Sequence, residues 1–183
     1  MRVIAGSAKG VRLARVPRGV RPVSDMAREG LFSSIAADVP GAIVLDLYAG
    51  TGALGIEALS RGADAAVLVD RSPAAIRTIH ANLGLARLPD RGRAVQRDVP
   101  SFVMSDDNSL GPFDLVFLDP PYDADSRELG GVLRALGERW LSGSASVVLT
   151  RGLRSSMPVI PVHLALSRRL EYGDSLVLVC RQR

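Results

Sequence analysis

Apolar and polar positions along this chain change period several times, and the changes mark its elements. Residues 2–5 and 11–16 are short apolar-rich runs on either side of Gly6-Ser7-Ala8-Lys9-Gly10, a spacing that predicts a hairpin. Pro17, Arg18, Gly19 and Pro22 predict a connector. Ser24 is a good N-cap, and Ala27, Leu31 and Ile35 follow at helical spacing until Pro40-Gly41 ends the run. From residue 42 onward, strand and helix patterns alternate. Residues 42–47 form an almost unbroken apolar run, the signature of a strand buried on both faces. Residues 50–55 predict a turn, 56–60 a helix and 65–69 a second strand, and Pro73 opens a helix reaching about residue 85. Residues 94–97 and 113–118 predict strands, 127–140 a helix and 146–150 a fifth strand. Residues 163–170 and 175–180, around Glu171-Tyr172-Gly173-Asp174, predict a closing hairpin. The alternation implies an α/β fold with a mostly parallel, doubly wound sheet, helices on both faces and an antiparallel C-terminal hairpin. The reading divides the chain into a small basic β-hairpin extension over 1–22 and a main domain over 23–183. Ligands of such sheets bind beyond the carboxyl ends of the strands.

Composition narrows the class. The chain has 183 residues, 47% hydrophobic and 23% charged, which fits one soluble globular domain with a substantial core. Its longest apolar stretches are far too short to span a bilayer, and the opening Met-Arg-Val-Ile-Ala-Gly lacks the apolar core of a signal peptide. With a single cysteine, Cys180, no intramolecular disulfide can form, and a cytoplasmic, monomeric protein is expected. One Cys and two separated His, His80 and His163, argue against a zinc site. Charge is distributed unevenly. Residues 1–28 carry seven basic residues against Asp25 alone, whereas the rest carries sixteen basic and eighteen acidic residues. A basic segment on a slightly acidic body suits a polyanion, although a solvated basic hairpin has the same composition.

Candidate chemistry gathers at predicted strand ends. Asp46-Leu47-Tyr48-Ala49-Gly50-Thr51-Gly52-Ala53-Leu54-Gly55 follows the first buried strand and opens a helix. Asp70, followed by Arg71, ends the second strand, where a carboxylate can accept hydrogen bonds from ribose hydroxyls. The glycines satisfy the dinucleotide fingerprint, so a nicotinamide oxidoreductase is a rival reading. Asp46 lies where a pyrophosphate would bring further negative charge, and a carboxylate there suits a sulfonium better. The expected cofactor is therefore S-adenosylmethionine, held by Asp46, Tyr48, Ala49, Gly50, Thr51, Gly52, Asp70, Arg71, Asp98, Val99 and Asp119. Asp98 could accept from an adenine amine while the Val99 amide donates to the ring, or it could cap the helix that begins near Pro100.

Leu118-Asp119-Pro120-Pro121-Tyr122 follows the fourth strand. Prolines offer no amide hydrogens and stiffen the backbone. Asp119 and the Pro120 carbonyl supply two acceptors, and Tyr122 supplies a flat face. A base amine is a poor nucleophile because its lone pair is delocalised into the ring. Two acceptors on its N–H groups aim that lone pair, and the carboxylate stabilises charge developing on nitrogen. Stacking on the aromatic ring holds the base in line. Asp119, Pro120, Pro121 and Tyr122 are thus the catalytic candidates. A planar amine on guanine, on DNA adenine or on protein glutamine would satisfy the same set.

With these motifs the chain resembles the D-type 16S ribosomal RNA guanine-N2-methyltransferases, which modify guanine 966. The resemblance runs over nearly the whole length. It is carried by Val3-Ile4-Ala5-Gly6, by Arg21-Pro22-Val23-Ser24-Asp25-Met26-Ala27-Arg28-Glu29-Gly30-Leu31-Phe32, by the glycine loop, Asp70 and Asp119–Tyr122, and by Tyr172-Gly173-Asp174. The family pattern usually has Thr where this chain has Val23. The resemblance implies a Rossmann-like class I methyltransferase fold acting on 16S rRNA within the 30S subunit or its assembly intermediate. Lys9, Arg12, Arg15, Arg18, Arg21 and Arg28 are then the candidates for RNA contact, mainly through phosphates. The family block also places Arg21, Asp25 and Arg28 near the cofactor mouth, and a salt-bridged helix face is their other reading.

Overall fold

The computed structural model describes residues 1–14, 25–106, 108–121 and 123–183. Of the sequence candidates, Arg15, Arg18, Arg21 and Tyr122 lie outside the described residues, as do Val23 and the Ser24 cap.

Helix α1 spans Asp25–Ser34, and a single 3-10 turn, Ala36–Asp38, leads to strand β1, Ile43–Leu47. Helix α2 (Ala53–Ser60), β2 (Ala65–Asp70), α3 (Pro73–Leu85) and β3 (Gly92–Gln96) follow, then α4 (Val99–Val103) and β4 (Phe113–Leu118). The chain closes with α5 (Ser126–Arg139), β5 (Leu141–Gly152), β6 (Leu164–Tyr172) and β7 (Ser175–Gln182). The seven strands form one sheet in the order β3-β2-β1-β4-β5-β7-β6. β1 to β5 run parallel, and β7 lies antiparallel between β5 and β6. The expected mixed α/β sheet is the one observed.

Each face of the sheet is covered. One cluster joins Leu31 and Phe32 of α1, Ile56 and Leu59 of α2 and Ile79 of α3 to Val44, Leu68 and Leu115. The other joins Phe102 of α4 and Leu133 of α5 to Leu45, Val116 and Leu149. Successive residues of β1 therefore point into opposite cores, which explains the continuous apolar run. Trp140 is 1% exposed, stacks on Phe102 and Phe113, and donates its Nε1–H to the Val103 carbonyl at 2.9 Å.

Several boundaries differ from the sequence expectation for identifiable reasons. Helix α2 begins at Ala53 rather than at 56, because Gly55 is a packing residue, not a turn residue. A Cβ at Gly55 would lie 2.9 Å from Leu68. Strand β3 begins at Gly92, before the apolar pattern starts, because it is an edge strand whose residues are at most partly buried. The N-terminal hairpin is reduced to one bridge, Arg2 to Arg12, with Val3 and Val11 hydrogen-bonded at 2.9 Å.

That short segment is locked onto the main domain. Val3, Ala8 and Leu13 are buried in the first core cluster. Glu57, 0% exposed, accepts the amides of Ile4 and Ala5 at 2.8 and 3.0 Å and the Arg61 Nε–H at 2.7 Å. Ser60 Oγ donates to the Ala5 carbonyl and accepts the Ala8 amide. Asn82 accepts the Ala14 amide at 2.7 Å and donates to the carbonyls of Ala14 and Thr51.

Candidate active site

The carboxyl ends of β1, β2 and β4 converge on one edge of the sheet, and each delivers an aspartate. Leu47 pairs with Val69 on one side and Leu118 on the other, so Asp46, Asp70 and Asp119 occupy neighbouring strand ends. Asp98 follows β3 one strand further out.

The glycine loop takes its shape from these acids. Tyr48, Gly50 and Gly52 have φ values of 60°, 56° and 76°. Such left-handed backbone is easy for glycine and strained for tyrosine. Asp70 holds the loop: Oδ2 accepts the Gly50 amide at 2.9 Å and Oδ1 accepts the Ser72 amide at 2.8 Å. Asp46 holds the start of α2, with Oδ2 accepting the Gly55 amide at 2.8 Å. Burial pushes the Asp46 carboxyl well above its ordinary range; the Gly55 bond opposes this, and the charges of Asp119 and Asp70 add to it. Each Asp70 oxygen keeps a further lone pair for a ligand hydroxyl.

Asp119 differs from both. It is half-buried, and among the described residues no donor reaches its carboxylate. Desolvation raises it from 3.8 to about 7. Beside it the carbonyl of buried Pro120 likewise has no donor among the described residues. The Pro121 carbonyl is already taken, by the Ala124 amide at 3.0 Å and by Arg151 at 3.4 Å. Two open acceptors, Asp119 and the Pro120 carbonyl, therefore sit side by side at the end of β4.

The remaining candidates sit around this edge. Asp98 is exposed at the start of α4 and, among the described residues, accepts only a Ser101 hydroxyl, at 3.4 Å, so its side chain does not cap the helix amides. Val99 is buried, Ala49 and Thr51 are partly buried and Arg71 is exposed. Tyr48 has a buried hydroxyl without a hydrogen-bond partner among the described residues, pushed up to about 12 by burial and then by Glu128 and Asp98.

The basic candidates separate. Lys9 and Arg12 are exposed. Lys9 follows a turn docked at Ser60, the last residue of α2, whereas the glycine loop lies at that helix's start. Arg28 does not fit the expected role in RNA contact. Its side chain is 1% exposed, donates to the Arg2 carbonyl at 2.7 Å and to Asp25 at 2.8 Å, and lies 3.8 Å from Glu57. A guanidinium so enclosed cannot reach a phosphate; it is a core clasp. Gly30 of the same block also has a packing reason, since a Cβ there would strike the Tyr172 hydroxyl and ring. The Glu57 hub and Arg151 were not found by sequence reasoning, because nothing in a linear pattern marks a helix glutamate or a strand-end arginine as buried.

The donor set fits S-adenosylmethionine. The strand-end carboxyls of Asp46, Asp70 and Asp119 disfavour a pyrophosphate, and on ionising they attract a sulfonium. Asp70 and Asp98, on successive strand ends, can hold the ribose hydroxyls and the adenine amine.

Comparisons with known proteins agree with this frame. Ribosomal RNA small subunit methyltransferase D of Escherichia coli (strain K12) is 33% identical over 177 residues, covering 95% of this chain and 86% of that protein. A solved structure from Escherichia coli superposes with a TM-score of 0.87 at 30% identity, covering 100% of this chain and 98% of the other. A hypothetical protein of Thermus thermophilus superposes with a TM-score of 0.83 at 31% identity, covering 98% of both chains. The sheet order is that of Rossmann-like methyltransferases. The profile of the family called Conserved hypothetical protein 95 matches residues 1–181, and the chain belongs to that family.

Proposed function

We propose that this protein transfers a methyl group from S-adenosylmethionine to the exocyclic N2 of a guanine in 16S ribosomal RNA, at the guanine 966 position that the resembled family modifies. The observation that carries the reading is the pair of open acceptors at the end of β4, the Asp119 carboxylate and the Pro120 carbonyl, beside the strand-end carboxyls of Asp46 and Asp70. The E. coli relative named as a small-subunit rRNA methyltransferase supports RNA as the substrate.

S-adenosylmethionine, when bound, supplies an electrophilic methyl carbon on a positively charged sulfur. Asp70 and Asp98 are the residues that would hold its ribose and adenine, and the glycine loop would carry its amino-acid portion. Asp119 and the Pro120 carbonyl each accept one N–H of the base amine. That pulls the nitrogen out of conjugation and aims its lone pair along the line of displacement. Bound there, the cofactor would give up its methyl carbon to that nitrogen, with the carbon–sulfur electron pair kept by sulfur. Asp119 stabilises the positive charge that appears on nitrogen, then takes the proton that the methylated amine gives up. Its role requires the ionised form, which a neighbouring sulfonium favours.

The deciding experiment supplies methyl-labelled S-adenosylmethionine and 30S subunits from cells lacking the modification, followed by mapping of the labelled nucleotide. Label on one guanine N2 is expected. No label, or label on an adenine or a protein, overturns the reading.

A further inference from the structure

Arg151, the penultimate residue of β5, is 2% exposed. Among the described residues it has no carboxylate partner, an unusual state for a buried guanidinium. Its charge is met by three main-chain carbonyls: Pro121 at 3.4 Å, Ala124 at 3.1 Å and Ser156 at 3.2 Å. Two of these belong to the short stretch leaving the Asp119–Pro120 turn, and the Ala124 amide closes that stretch onto the Pro121 carbonyl at 3.0 Å. The third belongs to the connector between β5 and β6. Ser126, at the start of α5, also donates to the Ser156 carbonyl at 3.2 Å. One rigid, planar fork therefore joins the catalytic turn, the start of α5 and the β5–β6 connector.

We propose that Arg151 is a positioning residue for methyl transfer: by tying the carbonyls of Pro121 and Ala124 to Ser156, it fixes the direction of the Asp119 and Pro120 acceptors toward the substrate amine. This rests on the function proposed above. Arg151 touches no reacting atom. Its effect falls on the alignment of the acceptor pair, where small displacements are costly in rate. Lysine keeps the charge but presents a single ammonium, which cannot span three carbonyls in one plane. Glutamine loses both charge and fork.

The test compares the full-length wild type with R151K and R151Q, using methyl transfer to unmodified 30S subunits, S-adenosylmethionine binding by calorimetry, and hydrogen exchange of the peptide covering 119–128. The expected result is a kcat lowered on the order of 10–100-fold in R151Q and less in R151K, with cofactor Kd within about twofold of wild type. Exchange should accelerate in 119–128 while β1 and β2 stay protected. Unchanged kcat and exchange overturn the proposal. So does a loss of kcat that merely follows loss of folded protein and of cofactor binding together, and R151K settles that point should R151Q fail to fold. If the wild type itself transfers no methyl group, the functional reading fails, and the exchange of 119–128 still decides whether Arg151 fixes the turn.

Discussion

Two buried polar constellations in this molecule are built from similar residues and differ in how completely they are satisfied. Around Glu57, Ser60 and Asn82, the carboxylate, hydroxyl and amide all find partners within the chain, and the result is a clasp that holds residues 1–14. At the ends of β1, β2 and β4 the aspartates crowd one another, and Asp119 is left without a donor among the described residues. Satisfied groups cost nothing further and stabilise the fold, whereas unsatisfied ones are a standing cost that a ligand can remove. Burial alone does not separate the Glu57–Ser60–Asn82 group from the strand-end aspartates; satisfaction does.

Four measurements can break or sharpen that contrast. The largest effect is expected at Asp119. Asp119→Asn should lower methyl transfer by roughly 10³-fold or more while leaving cofactor affinity within a few-fold. The same variant should be more stable than wild type at pH 8. The sign follows from a folded value of about 7 against an ordinary 3.8, so the folded state holds its proton more tightly. Stability is then full below about pH 4 and falls as pH rises toward 7; removing the group restores on the order of 1–2 kcal/mol after allowing for its partial exposure. A thermal melt at pH 5 and pH 8 checks this, and equal shifts at both pH values would count against it.

Next in size is the clasp. Glu57→Ala leaves Arg28 buried beside no carboxylate but Asp25, and should destabilise by about 3–5 kcal/mol in denaturant titration. A loss under about 1 kcal/mol would mean that the clasp is decorative. Third, kcat/KM of the wild type should rise about tenfold per pH unit below 7 and level off above it, as the free enzyme's Asp119 ionises. A profile flat from pH 5 to 8 would remove Asp119 from the proton path. The smallest effect belongs to the exposed cations. Arg12→Gln and Lys9→Gln should each reduce the salt slope of subunit binding by about one, with stability unchanged, and Arg28→Gln should do the reverse. Deleting residues 1–20 is a poor substitute for these variants, because Val3 and Leu13 belong to the core.

How much of this was visible in the sequence depends on the physical signal each part carries. Strand β4 and helix α3 occupy the expected residues, since one is buried on both faces and the other opens with a Ser-Pro cap. Strand β3 and helix α2 were misplaced at their starts, where edge exposure and a packing glycine blur the pattern. The acids of the site were legible because each stands at the end of an apolar run. The division at residue 22 was drawn from the hairpin and connector punctuation and the basic surplus, which say nothing of the buried bonds that Glu57 and Asn82 send into residues 4–14. Arg28 was read as a surface cation for the same reason. Trp140, Glu57 and Arg151 carried no linear signal at all, because each is held by at least one partner 30 or more positions away, Val103, Ile4 and Pro121 respectively.

The docking of the first residues also bears on how the chain is made. Ile4, Ala5, Ala8 and Ala14 bond to groups that lie 52 to 68 positions downstream. During synthesis this segment emerges before those partners and has nothing of α2 or α3 to bind until they have followed it out. For that interval it is an unanchored cationic strand, and its placement is a long-range closure that waits on the later helices.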